Sequence, residues 1–146
     1  MRKLTHTLIG LVLVISAFFA MPQQGSAAYG DVTTYAGSVY GGDGGSRLNA
    51  YFDFPQDIAR DSSGNFYIAD TYNNVIRKIA SGGTVSTLAG TGSYGDATGS
   101  ATGAAQFALP KGVAWGSDGS VYVADSANGK IKKIQSGSVS TVASGL

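Results

Sequence analysis

The sequence predicts an all-β fold: a β-propeller piece of two four-stranded antiparallel blades in an incomplete ring, preceded by an N-terminal signal helix. Three observations point there. The chain repeats itself at a spacing of 55 residues. Each repeat contains four short runs rich in β-branched and aromatic residues, separated by Gly, Asn, Asp and Ser. Glycine is abundant, 22 of 146 residues, and nothing after Ala28 has the periodicity of a long amphipathic helix.

The N-terminus reads as an export signal over residues 1–28. Arg2 and Lys3 supply a positive start, Leu8 to Ala20 is apolar, and Ser26-Ala27-Ala28 places small residues at a cleavage point. The alternative is a membrane anchor, but 13 apolar residues are short for a bilayer core of ~30 Å. The predicted mature chain begins at Ala28 or Tyr29, outside the cytoplasm. No Cys follows the apolar run, which excludes lipoprotein processing.

Residues 29–36 are expected to form an orphan outer strand, because Val32-Thr33-Thr34-Tyr35-Ala36 resembles Val85-Ser86-Thr87-Leu88-Ala89 and Val139-Ser140-Thr141-Val142-Ala143. The first blade spans 37–90. Its strands are expected at Gln56–Arg60, Phe66–Ala69, Val75–Ile79 and Thr84–Ala89. The second blade spans 91–146 and repeats the marks. Phe54-Pro55-Gln56-Asp57-Ile58-Ala59 aligns with Leu109-Pro110-Lys111-Gly112-Val113-Ala114. Gly64-Asn65-Phe66-Tyr67-Ile68-Ala69-Asp70 aligns with Gly119-Ser120-Val121-Tyr122-Val123-Ala124-Asp125. Asn73-Asn74-Val75-Ile76-Arg77-Lys78-Ile79 aligns with Asn128-Gly129-Lys130-Ile131-Lys132-Lys133-Ile134. Asn128-Gly129 suits a type I′ hairpin, with Asn73-Asn74 in the same role. Strands apolar on both sides, such as Phe66-Tyr67-Ile68-Ala69, fit blades covered on both faces. The fourth-strand element occurs three times and the other three elements twice. That count predicts a piece of a longer propeller, or a chain that self-associates through open blade faces.

At these residues the chain resembles the NHL-repeat β-propellers. The marks are Pro-x-x-Ile/Val-Ala, Gly-x-Phe/Val-Tyr-Ile/Val-Ala-Asp, Asn-x-x-Ile-Arg/Lys-Lys-Ile and Val-Ser/Thr-Thr-x-Ala, with a long glycine-rich connection at Gly37 to Phe54. The resemblance covers Val32 to Ala143. Asp57 departs from it, standing where the family carries a small Gly, as at Gly112.

Composition excludes several chemistries. Cysteine is absent, the one histidine is His6 in the signal, and there is no glutamate. The mature chain therefore lacks a Ser-His-Asp or Cys-His system and the usual zinc ligands. No catalytic residue, metal site or cofactor is expected. Without Arg2 and Lys3, eight basic residues face nine aspartates, a net charge of −1. That balance argues against nucleic acid as a partner, although some cytoplasmic NHL propellers bind RNA on a basic face. No membrane span is expected after signal cleavage.

Four groups remain as candidates. Asp70 and Asp125 could form a carboxylate ring, or accept backbone N–H bonds in the turn that follows. Tyr40 to Gly45 lacks the residues of a phosphate or calcium loop and reads as structural. Arg77-Lys78 and Lys132-Lys133 read as edge cations that cover apolar surface. Asp57 lies near the mouth of the central channel, where the resemblance places ligands, and it forms a candidate binding set with Arg60 and Lys111. One carboxylate cannot by itself hold calcium, which takes about 6–8 oxygens. The expected function is therefore a secreted, non-catalytic propeller segment that binds a protein, glycan or small molecule, or acts as a scaffold. The alternative is a piece of an extracytoplasmic lactonase- or lyase-like enzyme whose metal site lies mostly in other blades.

Overall fold

The computed structural model describes residues 35–37 and 42–146. The expected signal helix, Val32–Thr34 and Tyr40-Gly41 lie outside them. Tyr35 and Ala36, the end of the expected orphan strand, form a bend, and Ala36 packs on the first blade.

The first blade is a four-stranded antiparallel sheet in the order β1 (Pro55–Arg60), β2 (Phe66–Asp70), β3 (Val75–Ile79), β4 (Val85–Ala89). Each strand falls within one residue of its expected place. The second sheet contains β6 (Pro110–Trp115), β7 (Val121–Asp125), β8 (Lys130–Gln135) and β9 (Ser138–Ser144). It carries a fifth strand, β5 (Gly99–Ser100), giving the order β5-β9-β8-β7-β6. The two-residue β5 adds to the four expected strands of the blade. Gly99 and Ser100 pair with Val139 and Ser138, so the connection before the blade caps its outer edge. The connection before the first blade does the same without forming a strand. Gly44 N–H donates to the Val85 carbonyl at 2.7 Å, and Val85 N–H donates to Gly45 at 3.1 Å.

The repeat extends to irregularities. Both inner strands bulge at the residue after proline, between Pro55 and Asp57 and between Pro110 and Gly112. Both third strands are offset against the fourth, after Ile76 and after Ile131. The β2–β3 and β7–β8 turns are not type I′. Asn74 N–H donates to Thr71 and Gly129 N–H to Ser126, each at 3.2 Å, and one residue per turn is left-handed, Asn74 at φ 52° and Gly129 at φ 59°. The loop has four residues rather than two, so a turn followed by one left-handed residue closes it.

The inner strands β1 and β6 lie side by side. The main core sits between the blades. Tyr67, Ala69, Ile76 and Ala89 of the first blade meet Val113, Val121, Val123, Ile134 and Val139 of the second. Tyr67 stacks on Trp115 with ring centroids 5.3 Å apart. Ala101, Ala105 and Phe107, from the connection, fill the same layer. A second core lies on the opposite face of the first blade, where Ala50 and Phe52 of its own connection cover Ile68, Ile79 and Val85. Among the described residues, no helix is long and apolar enough to cross a membrane.

Candidate functional site

Asp70 and Asp125 end the second strand of each blade and are fully buried. Their carboxylates reach back to the connection. Asp53 N–H donates to Asp70 Oδ1 and Ala108 N–H to Asp125 Oδ1, both at 2.7 Å. The following turn contributes a side chain rather than a backbone amide, Asn73 Nδ2 at 2.9 Å and Asn128 Nδ2 at 2.7 Å. The other partner of each is a cation on the third strand. Arg77 Nη1 lies 3.2 Å from Asp70 Oδ2, and Lys132 Nζ lies 2.8 Å from Asp125 Oδ2.

Arg77 and Lys132 were expected as edge cations, and the structure corrects this. Arg77 is 5% exposed and Lys132 is 0% exposed. Each is held by two carboxylates, a carbonyl and an aromatic ring. Arg77 pairs also with Asp43 at 2.5 Å, donates to the Tyr51 carbonyl at 3.0 Å and lies 5.2 Å from the Phe52 ring. Lys132 pairs also with Asp96 at 3.1 Å, donates to the Gln106 carbonyl at 2.7 Å and lies 5.3 Å from the Phe107 ring. Lys130 shares Asp96, and the two lysines hold that carboxyl below its ordinary range. The sheet is covered on both faces here, so a third-strand side chain that points at the connection is buried and must be paired. Lys78 and Lys133 point the other way and behave as expected, lying 5.9 Å and 5.8 Å from the rings of Tyr67 and Tyr122. Asp43, in the glycine-rich loop, also accepts from Thr87 N–H at 2.8 Å.

The first turn of each blade uses aspartate in two ways. Asp61 accepts from Ser63 N–H, Asn65 N–H, Asn65 Nδ2 and the Tyr67 hydroxyl at 2.7–2.9 Å. Burial raises its pKa, but these donors outweigh burial and bring it down to about 2. In the second blade that position is Gly116, and Asp118 supplies the carboxylate to the Tyr122 hydroxyl at 3.2 Å. Lys133 and the donors of Ser120 bring Asp118 to about 2, and Lys133 is raised in turn. Burial and Asp61 push Tyr67 up to about 12. The signs set the pH response. Two carboxyls depressed in the fold contribute stability that is present above about pH 4 and lost as pH falls toward 2. A tyrosine raised to about 12 contributes stability present below about pH 10 and lost as pH rises through 12. Thermal unfolding should therefore show a plateau at neutral pH with a lower midpoint at both ends. Asp61 carries most of the acid response, because Asp118 and its Lys133 partner are solvent-screened, and a midpoint unchanged between pH 5 and 2.5 would contradict the Asp61 assignment.

Asp57 and Lys111 lie near the starts of β1 and β6, and both are exposed. Asp57 forms a clasp between the blades. Its Oδ2 accepts from Val113 N–H and its Oδ1 from Ile58 N–H, both at 2.8 Å. A carboxylate has about four acceptor positions, so Asp57 retains capacity for a further donor. Arg60 ends β1, three residues or about 10 Å along the strand, and its guanidinium lies 5.6 Å from the Phe66 ring. The structure therefore sets Arg60 apart from Asp57.

Sequence reasoning missed an aromatic pair at the same rim. Phe54 and Tyr72 are exposed and stacked, with centroids 4.7 Å apart and planes 11° apart. Phe54 has φ 53°, and Leu109, its counterpart, φ 49°. The shared left-handed residue is thus a feature of entry into the inner strand, and in the first blade it turns a ring toward solvent. At the far end, Tyr67, Leu88, Trp115, Val121 and Ile134 line a cleft of about 150 Å³ that offers no charged group. Among the described residues, no three His, Cys, Asp or Glu side chains gather as a metal site.

These buried pairs fall on the repeated marks, and the NHL repeat profile matches residues 52–79 and 107–134. The chain carries two NHL repeats. No curated protein sequence matches the chain significantly. Its fold is similar to solved propeller structures. A protein of unknown function from Bacteroides thetaiotaomicron is 28% identical, with a TM-score of 0.64 over 74% of this chain and 27% of its own. An auxiliary nutrient binding protein from the same organism is 22% identical, with a TM-score of 0.55 over 67% of this chain and 25% of its own. Another, from Bacteroides ovatus, is 20% identical, with a TM-score of 0.57 over 71% and 26%. The NHL chain thus spans about a quarter of the length of the solved structures it matches.

Proposed function

We propose that this NHL-repeat chain is an exported, non-catalytic propeller segment that binds a ligand at the rim where β1 and β6 begin. The observation that carries this reading is the exposed Phe54–Tyr72 stack at the entry to β1, the inner strand that carries Asp57 and lies alongside β6 with Lys111. An aromatic face, a cation and a carboxylate with spare acceptor positions suit a ligand with apolar and polar sides, such as a sugar or a peptide. The buried aspartates support the non-catalytic part, since Asp70 and Asp125 are committed to structural bonds. Arg60 belongs to the opposite end of the inner strand and serves a ligand there or a neighbouring blade.

Calorimetric titration of the full chain with a panel of neutral oligosaccharides, acidic oligosaccharides and short peptides tests the reading. At least one class should bind, and Tyr72→Ala or Lys111→Ala should weaken it by about tenfold. Binding indifferent to both substitutions, or none across the panel, would refute a rim site. Export is tested separately. The intact mass of the secreted product should correspond to a start within two residues of Tyr29, and retention of residues 1–28 would mean an anchor.

A further inference from the structure

We propose that the outward face of the second blade docks on the first blade of a second copy of this chain, head to tail. The contact repeats between molecules the one that joins the two blades within a molecule.

The internal interface supplies the template. The first blade presents Tyr67, Ala69, Ile76 and Leu88 to the second, all buried or partly buried there. Their counterparts on the second blade are Tyr122, Ala124, Ile131 and Val142. Register is kept, with Tyr67 opposite Lys78 as Tyr122 is opposite Lys133, and Ala69 opposite Ile76 as Ala124 is opposite Ile131. None of these counterparts belongs to a core cluster, and Val142 is 55% exposed.

The receiving side shows the complementary difference. In the second blade Pro110 is buried and Val113 is 8% exposed, because the first blade lies on β6. In the first blade Pro55 is exposed and Ile58 is 57% exposed. Two inner strands of matching pattern thus differ in burial by the presence of a blade on one of them. Leu48, in the connection that covers this face, is also exposed.

The polar contacts extend the match in part. Thr71 Oγ1 donates to the Pro110 carbonyl at 2.8 Å across the internal interface. Ser126 stands at the Thr71 position and is exposed; its hydroxyl donates to the Ala124 carbonyl at a long 3.4 Å and can turn instead to the carbonyl of Pro55 in the second copy. Trp115 stacks on Tyr67 internally. Arg60 stands at the Trp115 position and would face Tyr122, where a guanidinium can lie on the ring. Gly112 replaces Asp57, so the carboxylate clasp to the neighbouring amide has no counterpart. The contact between molecules is therefore weaker than the internal one, and association depends on concentration. Its two surfaces differ, so the geometry extends to rings or short chains rather than stopping at a two-fold dimer.

Sedimentation of the purified full chain over a concentration series tests this. The unaltered chain should associate reversibly. Ile58→Asp and Val142→Asp, both at exposed positions, should each weaken association by about tenfold or more with unchanged circular dichroism. Tyr94→Asp, at an exposed ring in the connection that is not among the matched residues of either face, should leave it unaltered. The decisive arm mixes Ile58→Asp with Val142→Asp. Each retains the face the other has lost, so the mixture should form a one-to-one heterodimer and go no further. A monomer at all concentrations, association indifferent to both variants, or a mixture that stays monomeric would overturn the proposal.

Discussion

Asp125→Ala is expected to cost about 3–5 kcal/mol, because it leaves the ammonium of Lys132 buried without its nearest counter-charge. Lys132 is 0% exposed, with Asp125 Oδ2 at 2.8 Å and Asp96 Oδ1 at 3.1 Å. Asp96 is the more exposed of its two partners and is shared with Lys130, so it compensates poorly. The substitution also strands the Ala108 N–H and one hydrogen of the Asn128 amide, whose other donates to the Gly95 carbonyl. Guanidinium denaturation should show a lower midpoint at an unchanged slope. Pairing Asp125→Ala with Lys132→Met should recover part of the loss, since removing both charges leaves no isolated ion. Recovery stays partial because the stranded donors remain. Lys133→Ala, which breaks the exposed pair with Asp118, should barely move the midpoint. If Asp125→Ala costs no more than Lys133→Ala, the buried pairs do not hold the connections to the sheets.

The strands were legible because a blade covered on both faces leaves its pattern in residue type as well as in alternation. Phe66-Tyr67-Ile68-Ala69 and Val121-Tyr122-Val123-Ala124 are apolar throughout, and Gly64 and Gly119 mark the turns before them with φ of 85° and 81°. β5 was not legible. Two residues, Gly99 and Ser100, pair through backbone alone, and backbone pairing has no side-chain signature. The buried cations were misread for a related reason. Arg77 and Lys132 sit on short strands beside Lys78 and Lys133, and a pair of adjacent bases looks solvated in sequence. Their burial follows from Asp43 and Asp96, which lie far upstream in the connections and are brought in by the fold. Asp57 stood out in the sequence only as a departure from the Gly of the second repeat. Its bond to Val113 N–H spans 56 residues, which local reasoning could not reach. The stacked pair of Phe54 and Tyr72 was missed because nothing local distinguishes an aromatic turned outward from one packed inward.

Phe107→Ala is the second large effect, expected at about 3–5 kcal/mol from lost burial and the cavity left behind. Phe107 is 0% exposed and belongs to the core layer between the blades. A Cβ built on Gly90 would lie 3.2 Å from its ring and 2.7 Å from the Asn74 carbonyl, so the surroundings leave little room to collapse into the gap. Phe52, its counterpart on the open face of the first blade, is half-buried, and Phe52→Ala should cost clearly less. The shape of the unfolding curve carries as much information as its midpoint. Phe107 belongs to the connection before the second blade but fills the layer that both blades share. If the blades unfold as one unit, Phe107→Ala lowers a single transition for both. If each blade is stable by itself, the curve divides, and the part belonging to the first blade stays in place. The first outcome is expected, because Tyr67, Ile76 and Ala89 of the first blade are buried against the second, and losing that cover would expose them to water. A divided curve, or equal costs for Phe107→Ala and Phe52→Ala, would show that the layer between the blades is not what holds the pair together.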